Sequence, residues 1–214
     1  MNNNQKIAVI GGTGKSGKYL VQQLLNQGFP IKLLLRNPER FQIKNSLIEI
    51  VPGIVQDYQA IHTLVEGCCA VISALGLGQH NSEKTIFSRA TTNVIRALNT
   101  FQIKRYILIT GLNVDTPFDK KGTHTTFATE WMKANYPETT ADKQKEWEML
   151  SESALDWTLV RLPLIELTDE IKELKVSLED CPGEKISATD LAYFMVRQLS
   201  ENDYLGKSPF IASM

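Results

Sequence analysis

The segment Ile7-Ala8-Val9-Ile10-Gly11-Gly12-Thr13-Gly14-Lys15-Ser16-Gly17-Lys18-Tyr19-Leu20 constrains this chain more than any other. Four apolar residues run straight into a glycine cluster, which in turn opens an amphipathic helix predicted over Lys15 to Asn26. Strand, tight turn and helix in that order form the start of a βαβ unit. Gly11, Gly14 and Gly17 stand three apart: the first permits the turn, the second lets backbone amides approach a pyrophosphate, and the third lets the helix pack close to the strand. Unpaired amides and the positive end of the helix dipole would then hold the anion. A nucleoside-triphosphatase loop also suggests itself over Gly12 to Lys18, but it needs Ser or Thr after the Gly-Lys pair and Tyr19 stands there. Starting instead from Gly14-Lys15-Ser16 would require glycine at Val9.

Beyond the loop, short apolar runs alternate with segments of helical period. Strands are predicted over Lys6 to Ile10, Ile31 to Leu35, Leu47 to Val51, Ala70 to Ala74, Arg105 to Thr110, Trp157 to Arg161 and Pro209 to Ala212. Further helices are predicted over Tyr58 to Glu66, Glu83 to Asn99, His124 to Ala134, Ala141 to Ser151 and Ala188 to Leu199. Runs such as Tyr106-Ile107-Leu108-Ile109 are continuously apolar, so both sheet faces should be covered by helices. The expected fold class is α/β: a Rossmann-type, doubly wound parallel sheet in three layers. The least regular stretch, Asn113 to Thr123, follows a strand end, where such sheets place their ligands.

A chain of 214 residues, 43% hydrophobic and 22% charged, suits a single domain. Its net charge of -1 generates no field that would gather nucleic acid or anionic lipid, so a small molecule is the expected partner; oligomeric state stays open. No run is apolar enough to span a bilayer and Met1 to Lys6 has no signal core, which gives a cytoplasmic expectation. Cys68, Cys69 and Cys181 fit neither a disulfide framework nor a metal site, and His62, His80 and His124 show no ligand spacing, so no metal is expected.

The second strand selects the cofactor. NAD enzymes carry an acidic residue about 20 residues past the glycines, where it receives the ribose hydroxyls. Here the tip reads Leu35-Arg36-Asn37-Pro38-Glu39-Arg40, with Arg36 in that place. A guanidinium suits the 2′-phosphate of NADP, so NADP(H) is preferred and NAD(H) is second.

These segments together resemble the atypical short-chain dehydrogenases/reductases, in particular the NAD(P)H-binding group of biliverdin reductase B and flavin reductase type. The loop and Leu33-Leu34-Leu35-Arg36-Asn37-Pro38 carry most of the likeness. Ala70-Val71-Ile72-Ser73-Ala74-Leu75-Gly76, Ser153 to Pro163 and Ile186 to Ala192 extend it over nearly the whole chain, as one domain with a small C-terminal substrate-side portion. The resemblance implies that Thr13, Gly14, Lys15 and Ser16 line the pyrophosphate, that Arg36 meets the 2′-phosphate and that Ala74, Leu75 and Gly76 pass the adenosine side. It also implies that backbone around Pro163 and Leu164 lies near the nicotinamide. Two departures stand out. Relatives usually have Asp after the third strand, where this chain has Gly53-Ile54-Val55, with Asp57 as a candidate substitute. Relatives often end the fifth strand with two hydroxyl residues, where this chain has Thr110-Gly111.

Candidate catalytic residues are Thr110, Tyr136 and Lys143. A reductase of the wider superfamily sets Tyr four residues before Lys on one helix, so that the ammonium lowers the phenol's pKa. Tyr136 is followed by Pro137, which is expected to start the helix and leave Tyr136 outside it, and Lys143 comes seven positions later. Lys143 resembles the lysine of the family's lysine-bearing helix; the plainer reading is an exposed lysine beside Glu146. Asn113 to Thr123, with His124 and Trp131, is a candidate lid or substrate wall. The leading expectation is an NADPH-dependent reductase of a flavin, quinone or tetrapyrrole type acceptor. The alternatives are a non-catalytic NADP(H)-sensing regulator and, third, a nucleotide-sugar epimerase, for which the chain leaves little room.

Overall fold

The computed structural model describes residues 5–76 and 83–214; Met1 to Asn4 and His80 lie outside the described residues. Its first half follows the predicted alternation closely: β1 Lys6–Ile10, α1 Gly17–Asn26, β2 Ile31–Leu35, β3 Ile48–Pro52, α2 Tyr58–Val65, β4 Cys68–Ser73, α3 Ile86–Thr100 and β5 Arg105–Gly111. Then come α4 Thr123–Asn135, α5 Pro137–Ser151, β6 Asp156–Leu162, β7 Leu164–Glu166, β8 Leu174–Ser177, β9 Lys185–Ser187, α6 Ala188–Arg197 and β10 Phe210–Ser213. Eight strands form one sheet in the order β3-β2-β1-β4-β5-β6-β10-β8. All neighbours pair in parallel except β10 and β8.

Alternation along the strands divides the core. Val9, Leu33, Ile72, Ile107 and Val160 point to one face, where they pack with Leu20 and Leu24 of α1 and Leu191 and Met195 of α6. Ala8, Ile10, Val71, Leu108 and Leu159 point to the other, against Ile61 and Leu64 of α2, Val94 and Leu98 of α3 and Leu150 of α5. Strands buried on both faces read as continuous apolar runs for this reason.

Two buried cations in the strands tie down chain ends. Lys32 of β2 donates to the carbonyls of Thr63 and Glu66, closing the C-terminal end of α2, where carbonyls lack helical partners. Arg105 at the start of β5 donates to Gln198 O, Asp156 O and Thr158 Oγ1, and burial lowers its pKa to about 10.

The second half departs from expectation in three places. The sheet is not wholly parallel, because β8 adds antiparallel to β10 as an edge strand. Leu174-Lys175-Val176-Ser177 alternates apolar and polar residues, as suits a strand with one face to solvent. Separately, β7 and β9 pair in parallel as a two-stranded sheet. Helix α5 starts at Pro137, four residues before the predicted Ala141, with proline at a first-turn position that needs no amide. Cys68 is buried, Cys69 and Cys181 are half-buried, and none of the three is in a disulfide. Among the described residues no helix is long and apolar enough to cross a membrane, and no three His, Cys, Asp or Glu side chains group to hold a metal ion.

Candidate functional site

The strand order reverses direction between β1 and β4, so the carboxyl ends of these strands open a crevice of the kind in which open α/β sheets bind ligands. The glycine loop stands at that point. Gly11 has φ +75°, in the region glycine enters freely, and a Cβ on it would lie 2.6 Å from Ala74 O. A Cβ on Gly17 would strike the Gly11 carbonyl oxygen, so the absence of a side chain is what lets α1 start against the strand. The loop closes through Gly14 N donating to Gly11 O at 3.0 Å. Among the described residues, no hydrogen bond engages the amides of Thr13, Lys15 or Ser16, and Thr13, Gly14 and Lys15 are exposed. Ser16 is the N-cap of α1 without a side-chain cap bond. A cradle shaped by missing side chains, with free amides at a helix start, fits a pyrophosphate.

Arg36 is exposed just past β2 and has no acidic partner among the described residues. On the other side of the crevice Ala74 N donates to Ile10 O at 2.9 Å, which holds buried Ala74 and the half-buried Leu75 beside the loop; Gly76 is exposed. The missing aspartate after β3 has a steric cause. Gly53 sits at φ +152°, and a Cβ there would collide with Ala60 of α2. Asp57 is already committed as the N-cap of α2, accepting from Gln59 N at 2.9 Å.

The end of β5 meets α3 and α5 in a polar seam. Asp142 and Glu146, one turn apart on α5, face Ser88 and Thr91 on α3. Asp142 accepts from Phe87 N at 2.8 Å and from the Ser88 amide and hydroxyl, so a side chain of α5 caps α3. Glu146 is 3% exposed and accepts from Thr91 Oγ1 at 2.7 Å; its other oxygen has no partner among the described residues. Burial raises the Glu146 pKa to about 7, against the Thr91 bond and the charge of Lys143, which lower it. Lys143 is half-buried, its Nζ 5.0 Å from the Phe87 ring centroid, and burial lowers its pKa while Glu146 opposes. Lys143 is therefore not the exposed lysine of the plainer reading. Thr110 is buried on the face of β5 that carries Tyr106 and Leu108, and its hydroxyl has no partner among the described residues.

Because Glu146 titrates higher folded than unfolded, its stabilising share is complete below its unfolded pKa and is lost as pH rises through about 7. Glu146→Gln is expected to be more stable than the parent at pH 8, with the difference vanishing towards pH 5. Thermal melts across that range check it, and a constant difference would contradict the assignment.

Tyr136 stands at the joint of α4 and α5, capping both with its backbone, and half of its ring is exposed against Trp131 at 5.8 Å between centroids. Its ring contact is with α4, and no hydrogen bond links it to Thr110 or Lys143 among the described residues. Pro163 lies between β6 and β7, with Leu164 exposed. His124 is exposed, its Nε2 3.8 Å from Glu184.

The segment after β5 is strapped down. Arg161 of β6, fully buried, donates to both oxygens of Asp119 at 2.6 and 2.8 Å. Lys121 donates to Leu112 O and to Asp115, and Gln144 of α5 exchanges two bonds with the Asp115 backbone. The sequence carried signals for these residues as charges in an irregular stretch, but not for their burial. A surface cleft of about 450 Å³ lies beside the strap, lined by Asp115, Lys133, Pro137, Thr140 and Gln144 among others; no glycine-loop residue borders it.

Comparison with known proteins adds four findings. The sequence model of an NAD(P)H-binding family matches residues 11–202. An isoflavone reductase homolog of Nicotiana tabacum is 30% identical over 112 residues, which cover 48% of this chain and 34% of that protein, so the chain spans about a third of the length of this curated relative. Among solved structures, a short-chain dehydrogenase/reductase of Veillonella parvula superposes with a TM-score of 0.80 at 15% identity, covering 98% of this chain and 94% of that one. The same bacterium's enzyme in complex with NADP gives 0.79 at 15% identity over the same shares.

Proposed function

We propose, from the premise that the chain belongs to an NAD(P)H-binding family, that it binds NADPH in preference to NADH and reduces a small organic acceptor with it, as an atypical short-chain dehydrogenase/reductase would. The observation that carries this reading is the glycine cradle, whose Thr13, Lys15 and Ser16 amides are free among the described residues, with Arg36 past β2 also without an acidic partner among them. Thr13, Gly14, Lys15 and Ser16 would hold the pyrophosphate, and Arg36 the 2′-phosphate. Ala74, Leu75 and Gly76 would border the adenosine, and Pro163 the nicotinamide. When bound, NADPH supplies a hydride. The chain's task is then to orient the acceptor, exclude water and deliver a proton. Lys143, a cation whose charge burial disfavours, is the donor the seam offers, and Thr110 puts a second hydroxyl at the end of β5. Planar conjugated acceptors of flavin, quinone or tetrapyrrole type suit such a site because they need little acid catalysis from the protein.

The test is calorimetric titration with NADPH and NADH, followed by NADPH oxidation with each acceptor class. Arg36→Ala is expected to weaken NADPH about ten- to a hundredfold, the loss of a charge-assisted contact, and to leave NADH nearly unchanged. Equal losses for both cofactors would refute the preference. A second reading, a regulator that senses NADP(H), draws on the position of Tyr136 outside α5 and away from Lys143. Tight binding with no turnover on any acceptor would favour it.

A further inference from the structure

The end of β5 has a residue without a side chain and a neighbour that fills its place. A Cβ built on Gly111 would lie 2.5 Å from Asn113 Oδ1 and 3.8 Å from Lys143 Nζ. The asparagine oxygen thus occupies the volume a side chain at 111 would need, and the lysine ammonium borders the same volume. Asn113 is 1% exposed; its Nδ2 donates to Thr140 Oγ1 at 2.9 Å, and its Oδ1 has no hydrogen-bond partner among the described residues. Turning the carboxamide over would point a second donor at an ammonium that has only donors, so the chemistry of the neighbours agrees with this orientation. Buried acceptors in folded proteins are nearly always satisfied. Here an orphan acceptor stands near an ammonium that makes no hydrogen bond among the described residues and rests on the Phe87 ring.

We propose that Asn113 is the positioning residue for Lys143: its carboxamide oxygen, held over Gly111 by Thr140, is the acceptor to which a small turn of the lysine side chain brings one ammonium hydrogen, and so aims another at the bound acceptor. Asn113 itself exchanges no proton. The aim at an acceptor rests on the reductase reading above, whereas the pairing of Asn113 with Lys143 does not. The titratable groups of the seam are Lys143, Asp142 and Glu146 of α5 and Tyr106 of β5, and Asp142 is already held by the α3 amides.

The steric relation supplies the test, in four variants: Asn113→Ala, Gly111→Ser, and the doubles Gly111→Ser/Asn113→Ala and Gly111→Ala/Asn113→Ala. Lys143 is titrated by NMR in lysine-labelled protein without cofactor, its signal assigned by loss in Lys143→Arg; NADPH affinity and kcat are measured alongside. Asn113→Ala is expected to lower the titration midpoint of Lys143 and to cut kcat about tenfold, the usual effect of losing a hydrogen bond to a charged group, with NADPH affinity unchanged. Gly111→Ser alone should lose stability against the Asn113 oxygen. The serine double places a hydroxyl where the oxygen was and should restore both midpoint and kcat, while the alanine double fills the space without an acceptor and should restore neither. A midpoint unmoved by Asn113→Ala, or an alanine double that recovers as well as the serine double, overturns the proposal. Absence of turnover in the parent protein would defeat the reductase reading alone, and the NMR titration would still decide the pairing.

Discussion

Gly17→Ala is expected to weaken NADPH binding by at least about a hundredfold, ~2.7 kcal/mol, in a protein that still folds. The added methyl would strike the Gly11 carbonyl oxygen, with Gly11 C and Gly12 Cα each 2.9 Å away. All are backbone atoms, so no rotamer change relieves the clash. The start of α1 must back away from the end of β1, and the amides that face the crevice move with it. Gly14→Ala tests the same cradle by another route. Among the described residues its Cβ would meet only Gly11 O, at 3.2 Å, so the loop keeps its shape, but the added methyl stands where the pyrophosphate approaches and a loss of NADPH affinity is expected here too. Fluorescence titration with NADPH, with circular dichroism to verify folding, measures both. Binding by Gly17→Ala as tight as the parent's would mean that the phosphates lie elsewhere.

The largest effect on stability is expected from Asp119→Ala, about 3–5 kcal/mol, equivalent to a melting temperature lower by roughly 6 to 20 °C for a chain of this size. Arg161 is fully buried, its guanidinium carbon 3.5 Å from the centroid of the Phe210 ring, and it bonds Ser208 O and Leu178 O besides Asp119. Burial presses its pKa down, with Asp119 opposing, yet an arginine does not shed its proton to escape. Removing the carboxylate leaves that charge unpaired, deprives Lys121 of its contact at 3.6 Å, and releases the Thr116 amide and hydroxyl. Replacing both partners, Arg161→Met with Asp119→Leu, removes the charge together with its partner and is expected to recover most of the loss. Thermal melts of the single and double variants decide it. A single variant that melts with the parent would show that the strap does not depend on the pair. A lid made of the segment after β5 would have to break this pair at each opening.

Much of the fold could be read in advance because its cause is local. β1, β2 and the start of α2 lie where periodicity put them, since continuous apolar runs between glycines leave the chain few other ways to bury itself. The short strands β7, β8 and β9 escaped notice because three or four residues are too few to establish a period. Helix α5 misled for another reason. Its inward residues include Thr140, Asp142 and Glu146, so it reads as polar on every side. Those side chains are buried because α3 supplies amides and hydroxyls to receive them, and that complement lies some fifty positions away in the chain.

The glycine cradle, the basic tip of β2 and the parallel order of the first strands are legible along the chain, because each depends on neighbouring residues and on what a missing side chain permits. That Gly53 has no room for an aspartate, that Arg161 and Asp119 pair out of water, and that Asn113 stands over Gly111 near Lys143 emerges only once the elements pack. These are properties of the space between elements. Charge, desolvation and steric exclusion act across that space, and the order of residues does not record which side chains will share it.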